Sequence, residues 1–480
     1  MFSRPTYTGS AEERLARKSI LALISRSAPG AATLAVNVMI GRLGGAALLG
    51  TTQSAMSTAS LLALLYPTPA SSAASKFVAA TNARALDDHN ASAIAASLAR
   101  RVAVVALILA VGVAIVYTVL HPGDIVLPIV SAIMVIGISM RTLMDGLHFG
   151  AGLTLRLSAW SALIALFGTL ATALLLVIGV RSAWVITPLA FSNLIFAVVS
   201  WPRRSAGRVP APLRAEIRTF ITLGVVGTLA SAGFAQATVL VNAAVNGLAF
   251  TGKYAGALTL TTPIALISSA LAAVLFPALA ASFQSADRGA VRARVLTTTR
   301  LLATLLVPVL FVFTLLSDTL VSLVWGEGFT ETRWIMLFLV PSVICTAIAS
   351  PSVSALTARS NQGMFLSTVA SLIGTVAGIA VWLIFIPISP ELAVPAGYAT
   401  GVFLIAAIPW CLTWRTYKMP WLGETLLVVS MILTAVGLSA YLQITDRNFF
   451  VALAACLILT SAWVIVRRRD FRRIRTRFSR

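Results

Sequence analysis

A chain of 480 residues with 58% hydrophobic and only 11% charged side chains, at a mean hydropathy of +0.93, lies outside the range of soluble domains, where about a quarter of residues are charged. A formal charge of +21 on a soluble surface would suggest nucleic acid. Here the charges lie between apolar runs too long for globular helices, which argues against a nucleic-acid partner.

The polar stretch through Lys18 is followed by a long apolar segment without a small-residue cleavage pattern, so the first helix is expected to remain in the mature protein. Apolar runs of about 20 residues, the length that crosses ~30 Å of hydrocarbon, follow in order. In the first half they cover 19–41, 46–75, 102–120, 125–147, 153–178 and 183–201. In the second they cover 217–246, 252–283, 295–316, 333–357, 364–387, 393–414, 420–443 and 449–466. The expected fold is an all-α polytopic membrane protein of about fourteen transmembrane helices.

If this count holds, alternate connections lie on one side of the membrane and should share the positive charge. Thirty of the 36 basic residues fall on one side, from Arg4 to the tail that begins at Arg467, against Arg42, Arg181, Lys253, Arg333 and Arg447 on the other. Such a bias places both termini in the cytoplasm. Only Lys18, Lys76, Lys253 and Lys418 are lysines; with abundant Ala and Val this reads as a high-GC bacterial genome and hence a bacterial cytoplasmic membrane. The tail at 467–480 reads as an electrostatic anchor on anionic lipid.

The connection at 202–216, PRRSAGRVPAPLRAE, reads as a cytoplasmic linker. It divides a six-helix bundle at 1–201 from a second at 217–414, with two further spans at 415–466. At an offset of 210, Leu65-Tyr66-Pro67 falls on Leu275-Phe276-Pro277. A repeat that begins after an even number of spans relates the bundles by a pseudo-two-fold along the membrane normal.

Several segments carry a resemblance. They are Gly252-Lys253-Tyr254-Ala255-Gly256-Ala257, Ala273-Val274-Leu275-Phe276-Pro277-Ala278-Leu279 and Trp325-Gly326-Glu327-Gly328-Phe329, with Arg42-Leu43-Gly44-Gly45, Tyr66-Pro67 and Ser75-Lys76-Phe77 in the first half. Together they resemble the polysaccharide flippase branch of the multidrug/oligosaccharidyl-lipid/polysaccharide (MOP) exporter superfamily. The resemblance implies two bundles around a central cavity, alternating access, and a polyprenyl-pyrophosphate-linked sugar as cargo. Other envelope-glycan biosynthesis proteins are then possible partners.

Arg26 lies inside the first span, where a charge costs at least ~2.5 kcal/mol unless it faces a cavity or partner. It either forms a cationic cavity wall for a pyrophosphate or snorkels to cytoplasmic headgroups near Lys18. Pro29-Gly30 just after it are expected to break or kink the helix. Arg42 and Lys253, at corresponding outer connections, either guide an anionic headgroup or are simply solvated. Arg141, Asp145 and His148, at i, i+4 and i+7, share one face of the fourth span. Arg141 and Asp145 there form a gate or a stabilising pair. Gln53, Gln236, Asn242 and Asn246 offer amides either to sugar hydroxyls or to neighbouring helices.

No catalytic cluster, ATP-binding signature or metal-ligand spacing occurs. Cys345, Cys411 and Cys456 all lie in apolar runs. Enzyme activity and a cofactor are therefore not expected. Two other functions remain open: a cation-coupled multidrug exporter, which would need a buried acid such as Asp145, and a membrane scaffold that transports nothing.

Overall fold

Hydrocarbon offers no partners to a free peptide group, so each membrane crossing must satisfy its own backbone, and in this chain it does so with helices. The computed structural model describes residues 11–83, 88–202, 209–284, 288–359, 361–445, 448–468 and 470. The helices are α1 (Ala11–Ala63), α2 (Pro67–Ala83), α3 (Asp88–Leu120), α4 (Val126–Gly150), α5 (Thr154–Val177), α6 (Thr187–Val199), α7 (Ala211–Thr228) and α8 (Phe234–Gln284). They continue as α9 (Arg288–Leu315), α10 (Ser317–Trp325), α11 (Thr332–Arg359), α12 (Asn361–Phe385), α13 (Pro390–Tyr417), α14 (Leu422–Ile444) and α15 (Phe449–Val466). A single 3₁₀ turn, Ala183–Ile186, leads into α6, and a π turn, Leu229–Gly233, joins α7 to α8.

Among the described residues, eleven helices are long and apolar enough to cross a membrane. Two of them, α1 and α8, each carry two spans across an internal break, and the shorter apolar stretch Ala183–Val199 adds one. This makes the fourteen crossings expected from the sequence.

The breaks are made by glycine. Gly45 in α1 has φ 82° and ψ 174°, and Gly247 in α8 has φ 78° and ψ 173°. Both lie at positive φ, which glycine adopts without the cost a Cβ would bring. Each breaks the helical path at one residue, with no irregular loop around it. The helix passes through Pro29 with helical backbone, and Gly45 is the non-helical position in α1. The break expected at Pro29-Gly30 is therefore not where the backbone leaves helical geometry, whereas Gly45 falls in the gap expected between the runs 19–41 and 46–75. The hydroxyl of Thr33 donates to the Pro29 carbonyl (2.9 Å).

The two breaks stand 202 residues apart, which sets the register of the repeat at this element eight residues away from the offset of 210. Runs of Ala, Gly and Thr align almost as well at several offsets, whereas a positive-φ glycine fixes one. A Cβ on Gly50 would fall onto the carbonyl oxygen of Leu248, and one on Gly252 onto that of Ala46. Both contacts keep the same spacing of 202, so the paired turns cross with backbone against backbone, as small residues permit in lipid.

The chain separates into two units, 1–252 and 253–480. In the first, α4 is the central helix and packs against α1, α2, α3 and α6. The Ser71 hydroxyl of α2 donates to the Thr142 carbonyl at 2.6 Å. The unit extends beyond the polar connection at 202–216 because α7 packs on α2 and the hydroxyl of Thr228 reaches the Leu64 carbonyl (3.1 Å). Residues 203–208 of that connection lie outside the described residues.

In the second unit α11 packs on α9, α12 and α13, and α9 also carries both trailing helices. Ser439 of α14 donates to the Thr314 carbonyl (2.6 Å), Gln443 to the Ser317 hydroxyl (3.0 Å), and Trp463 of α15 to the Thr304 carbonyl (3.1 Å). The Glu424 carboxylate joins all three helices: it accepts from Arg300 at 2.8 Å and from Arg467 through both of its oxygens. Arg467 is 5% exposed. It is therefore a buried ion-pair partner, and the expectation that the lipid-facing basic tail begins there is corrected; 471–480 lie outside the described residues.

Candidate functional site

A charged side chain inside a membrane helix must find partners within the protein. On α4, Arg141 is 9% exposed. Its Nη1 donates to Asn193 Oδ1 of α6 at 3.1 Å, and its Nη2 donates to Ser161 Oγ of α5 at 3.1 Å. Its Nε lies 3.5 Å from Asp145 Oδ2 one turn further along α4. The second oxygen of Asp145 is buried without a hydrogen-bond partner.

Aromatic rings close the other side of this cluster. The guanidinium lies 6.0 Å from the Phe196 ring centroid, within cation–π range. Phe196 in turn meets His148 at 5.2 Å and Trp160 at 5.7 Å. His148 Nδ1 stands 2.8 Å from the Met144 carbonyl oxygen. Arg141, Asp145 and His148 thus share a helical face, as the spacing i, i+4, i+7 requires. The sequence reading did not single out Ser161, Asn193, Phe196 or Trp160. Asn193 carried a signal, as an amide within the apolar sixth span.

Other candidates are dispersed. Asn246 donates to Asn242 Oδ1 (2.7 Å) and Asn242 to Thr251 Oγ1 (3.4 Å). The Thr251 hydroxyl donates to the Gly247 carbonyl (2.8 Å). These groups brace the glycine turn of α8. Gln53 on α1 and Gln236 on α8 are half-buried. Arg42 is exposed, three residues before the turn at Gly45. Arg26 is helical within α1, and its side chain lies outside the described residues.

Lys253 is not a solvated charge. Its Nζ donates to Glu331 Oε1 at 2.6 Å, and its carbonyl accepts from Thr332 Oγ1 at 3.0 Å. Burial pushes the Glu331 carboxyl up, but the bonds from Lys253, from its own backbone N–H and from Thr330 outweigh this and hold it below its ordinary value. Beside the pair, Trp325 and Phe329 stack at 5.1 Å against Gly256. The Trp-Gly-Glu-Gly-Phe segment is thus a cap seated on the start of the α8 portion in this unit.

Fourteen helical crossings define a multi-pass membrane protein, and its fold is similar to that of MOP superfamily transporters. A family model described as polysaccharide biosynthesis protein matches residues 102–333, just under half of the chain. Among solved structures the chain is similar to the lipid II flippase MurJ in an inward closed conformation. That match has a TM-score of 0.68 at 12% identity, covering 94% of this chain and 99% of MurJ. It is also similar to the eukaryotic MATE transporter AtDTX14, with a TM-score of 0.59 at 14% identity over 89% of this chain and 99% of that one. A MOP superfamily transporter from Pyrococcus furiosus matches with a TM-score of 0.52 at 13% identity over 85% and 96% of the respective chains. No curated protein sequence matches. The structural neighbours are transporters and flippases.

Proposed function

We propose that this protein is a flippase that carries a polyprenyl-phosphate-linked glycan precursor across a bacterial cytoplasmic membrane by alternating access. The match of residues 102–333 to a polysaccharide biosynthesis family carries this reading, and the likeness to a lipid II flippase supports it. An anionic cargo agrees with a buried guanidinium on α4, because a site of one sign repels like-charged substrates. Cytoplasmic termini are supported by thirty basic residues on one side against five.

The partners that follow are the lipid-linked glycan, anionic lipids around the cytoplasmic ends, and the enzymes that build the glycan. Depletion in the native host, with lipid-linked saccharides measured on each membrane face, tests the proposal. The expected result is inner-face accumulation of one polyprenyl-linked species and loss of its surface polymer.

The likeness to MATE transporters favours a second reading, export of small molecules coupled to a cation. It expects unchanged lipid intermediates and drug sensitivity on depletion, with transport abolished by Asp145→Asn.

A further inference from the structure

Among the described side chains, the most deeply buried basic residue of the first unit holds the slackest of the ion pairs. Elsewhere the paired atoms lie at 2.6 Å for Lys253–Glu331, 2.8 Å for Arg300–Glu424 and 3.2 Å for Arg333–Asp318, against 3.5 Å for Arg141–Asp145. Burial ordinarily tightens a pair, since attraction grows as the dielectric falls. Here the Arg141 fork is instead held by two neutral acceptors, Asn193 and Ser161. These fix its position, and the one carboxylate that faces its charge stands off at 3.5 Å. The Nε edge faces a carboxylate that offers one distant oxygen, while the other oxygen has no partner.

We propose that Arg141 and Asp145 form an exchange site. A phosphate oxyanion of the cargo replaces the carboxylate at the Nε edge of Arg141, and the displaced Asp145 carboxylate takes a proton from the aqueous phase. The inference rests on the flippase reading above. A phosphate oxygen makes a stronger charge-assisted bond to a guanidinium than a carboxylate at 3.5 Å. Two anions cannot share one cation at membrane depth, and protonation of the weaker acceptor removes the conflict. The new bond is the carboxyl O–H, and the net charge of cluster, phosphate and proton together is set by the cargo's remaining oxygens. Asp145, 34% exposed at its side chain against 10% for Arg141, is the more accessible partner of the pair.

The charged and titratable groups on the helices packed against α4 are few. Among the described side chains they are Arg42 on α1, Lys76 on α2, Arg100, Arg101 and Tyr117 on α3, and Arg156 on α5, with His148 on α4 itself; α6 has none. Lys76 lies over the Phe77 and Phe220 rings, Tyr117 bonds Thr58, and Arg156 acts on His148. Arg141 is the charge that acts on Asp145.

By reciprocity, phosphate binding and proton uptake must promote each other. The test uses the purified full-length protein in weakly buffered detergent with a pH-indicating dye, titrated with farnesyl diphosphate and with inorganic pyrophosphate. The expected result is about one more proton taken up per bound diphosphate by the native chain than by Asp145→Asn, which still binds. Arg141→Gln should bind roughly tenfold more weakly, a loss of about 1.4 kcal/mol. Arg141→Lys keeps the charge if the glutamine variant fails to fold, and should retain the uptake.

Equal uptake by the native and Asp145→Asn chains overturns the exchange, as does failure of the native chain to bind either diphosphate. Absent uptake together with lost glycan export on depletion sinks the exchange alone. Proton-coupled binding together with unchanged lipid intermediates sinks the flippase reading alone.

Discussion

Gly50 and Gly252, 202 positions apart, pack in the same way against each other's helices, Gly50 on the carbonyl of Leu248 and Gly252 on the carbonyl of Ala46. A Cβ at either position meets backbone, so no rotamer can relieve it. Gly50→Val and Gly252→Val are each expected to lower stability by about 1–3 kcal/mol, the usual cost of overpacking. Gly423 and Gly437 have nothing within 4 Å of an added Cβ, and Gly437→Ala serves as the control. Thermal midpoints in detergent check this: equal midpoints for Gly50→Val and Gly437→Ala would contradict the crossing.

The turns themselves make a separate demand. At Gly45 and Gly247 the space around an added Cβ is open, so any penalty comes from positive φ alone. Alanine at either position should cost about 1–2 kcal/mol. The double variant should lose the sum if the turns act independently, and its thermal midpoint measures this.

What the sequence made legible was what depends on length and charge. Twenty-residue apolar runs and alternating basic loops gave the number of crossings because both are set by the bilayer and act along the chain. The spacing of Arg141 and Asp145 gave a shared face because helical periodicity is local. Their anchors Asn193 and Ser161 come from other helices, and which way α5 and α6 turn toward α4 is decided by packing. The turn at Gly45 falls in the gap between the runs 19–41 and 46–75, but its making by a single positive-φ glycine is backbone geometry that composition does not carry. Arg467 read as tail because seven more arginines follow it and its partner Glu424 lies 43 residues earlier.

That buried arginine supports a prediction about the trailing helices. Glu424 is 12% exposed at its side chain and holds both Arg300 and Arg467. Glu424→Gln takes the carboxylate from Arg300 and leaves Arg467 with Asp470 alone, and breaking a buried pair costs roughly 3–5 kcal/mol. The expected outcome is a lower thermal midpoint and earlier proteolysis between α13 and α14, while Glu424→Asp keeps part of the native value. Proteolysis unchanged from the native chain would mean that the hydrogen bonds of Ser439, Gln443 and Trp463 suffice to hold α14 and α15 on α9.

The cap over Lys253 should respond to acid in one direction. Glu331 titrates below its ordinary 4.5 when folded, so the unfolded chain binds the proton more readily. The stability contributed by the pair is then fully present above the unfolded value and is lost as pH falls through the folded one. Near neutrality the native chain should melt above Glu331→Gln. The gap should hold down to about pH 5 and close below it, as linkage requires. With Glu331 46% exposed at its side chain, salt should narrow the gap as well, since exposed pairs are screened. Melting curves across pH at low and high salt decide this, and a gap that widened on acidification would show that Glu331 contributes through something other than its charge.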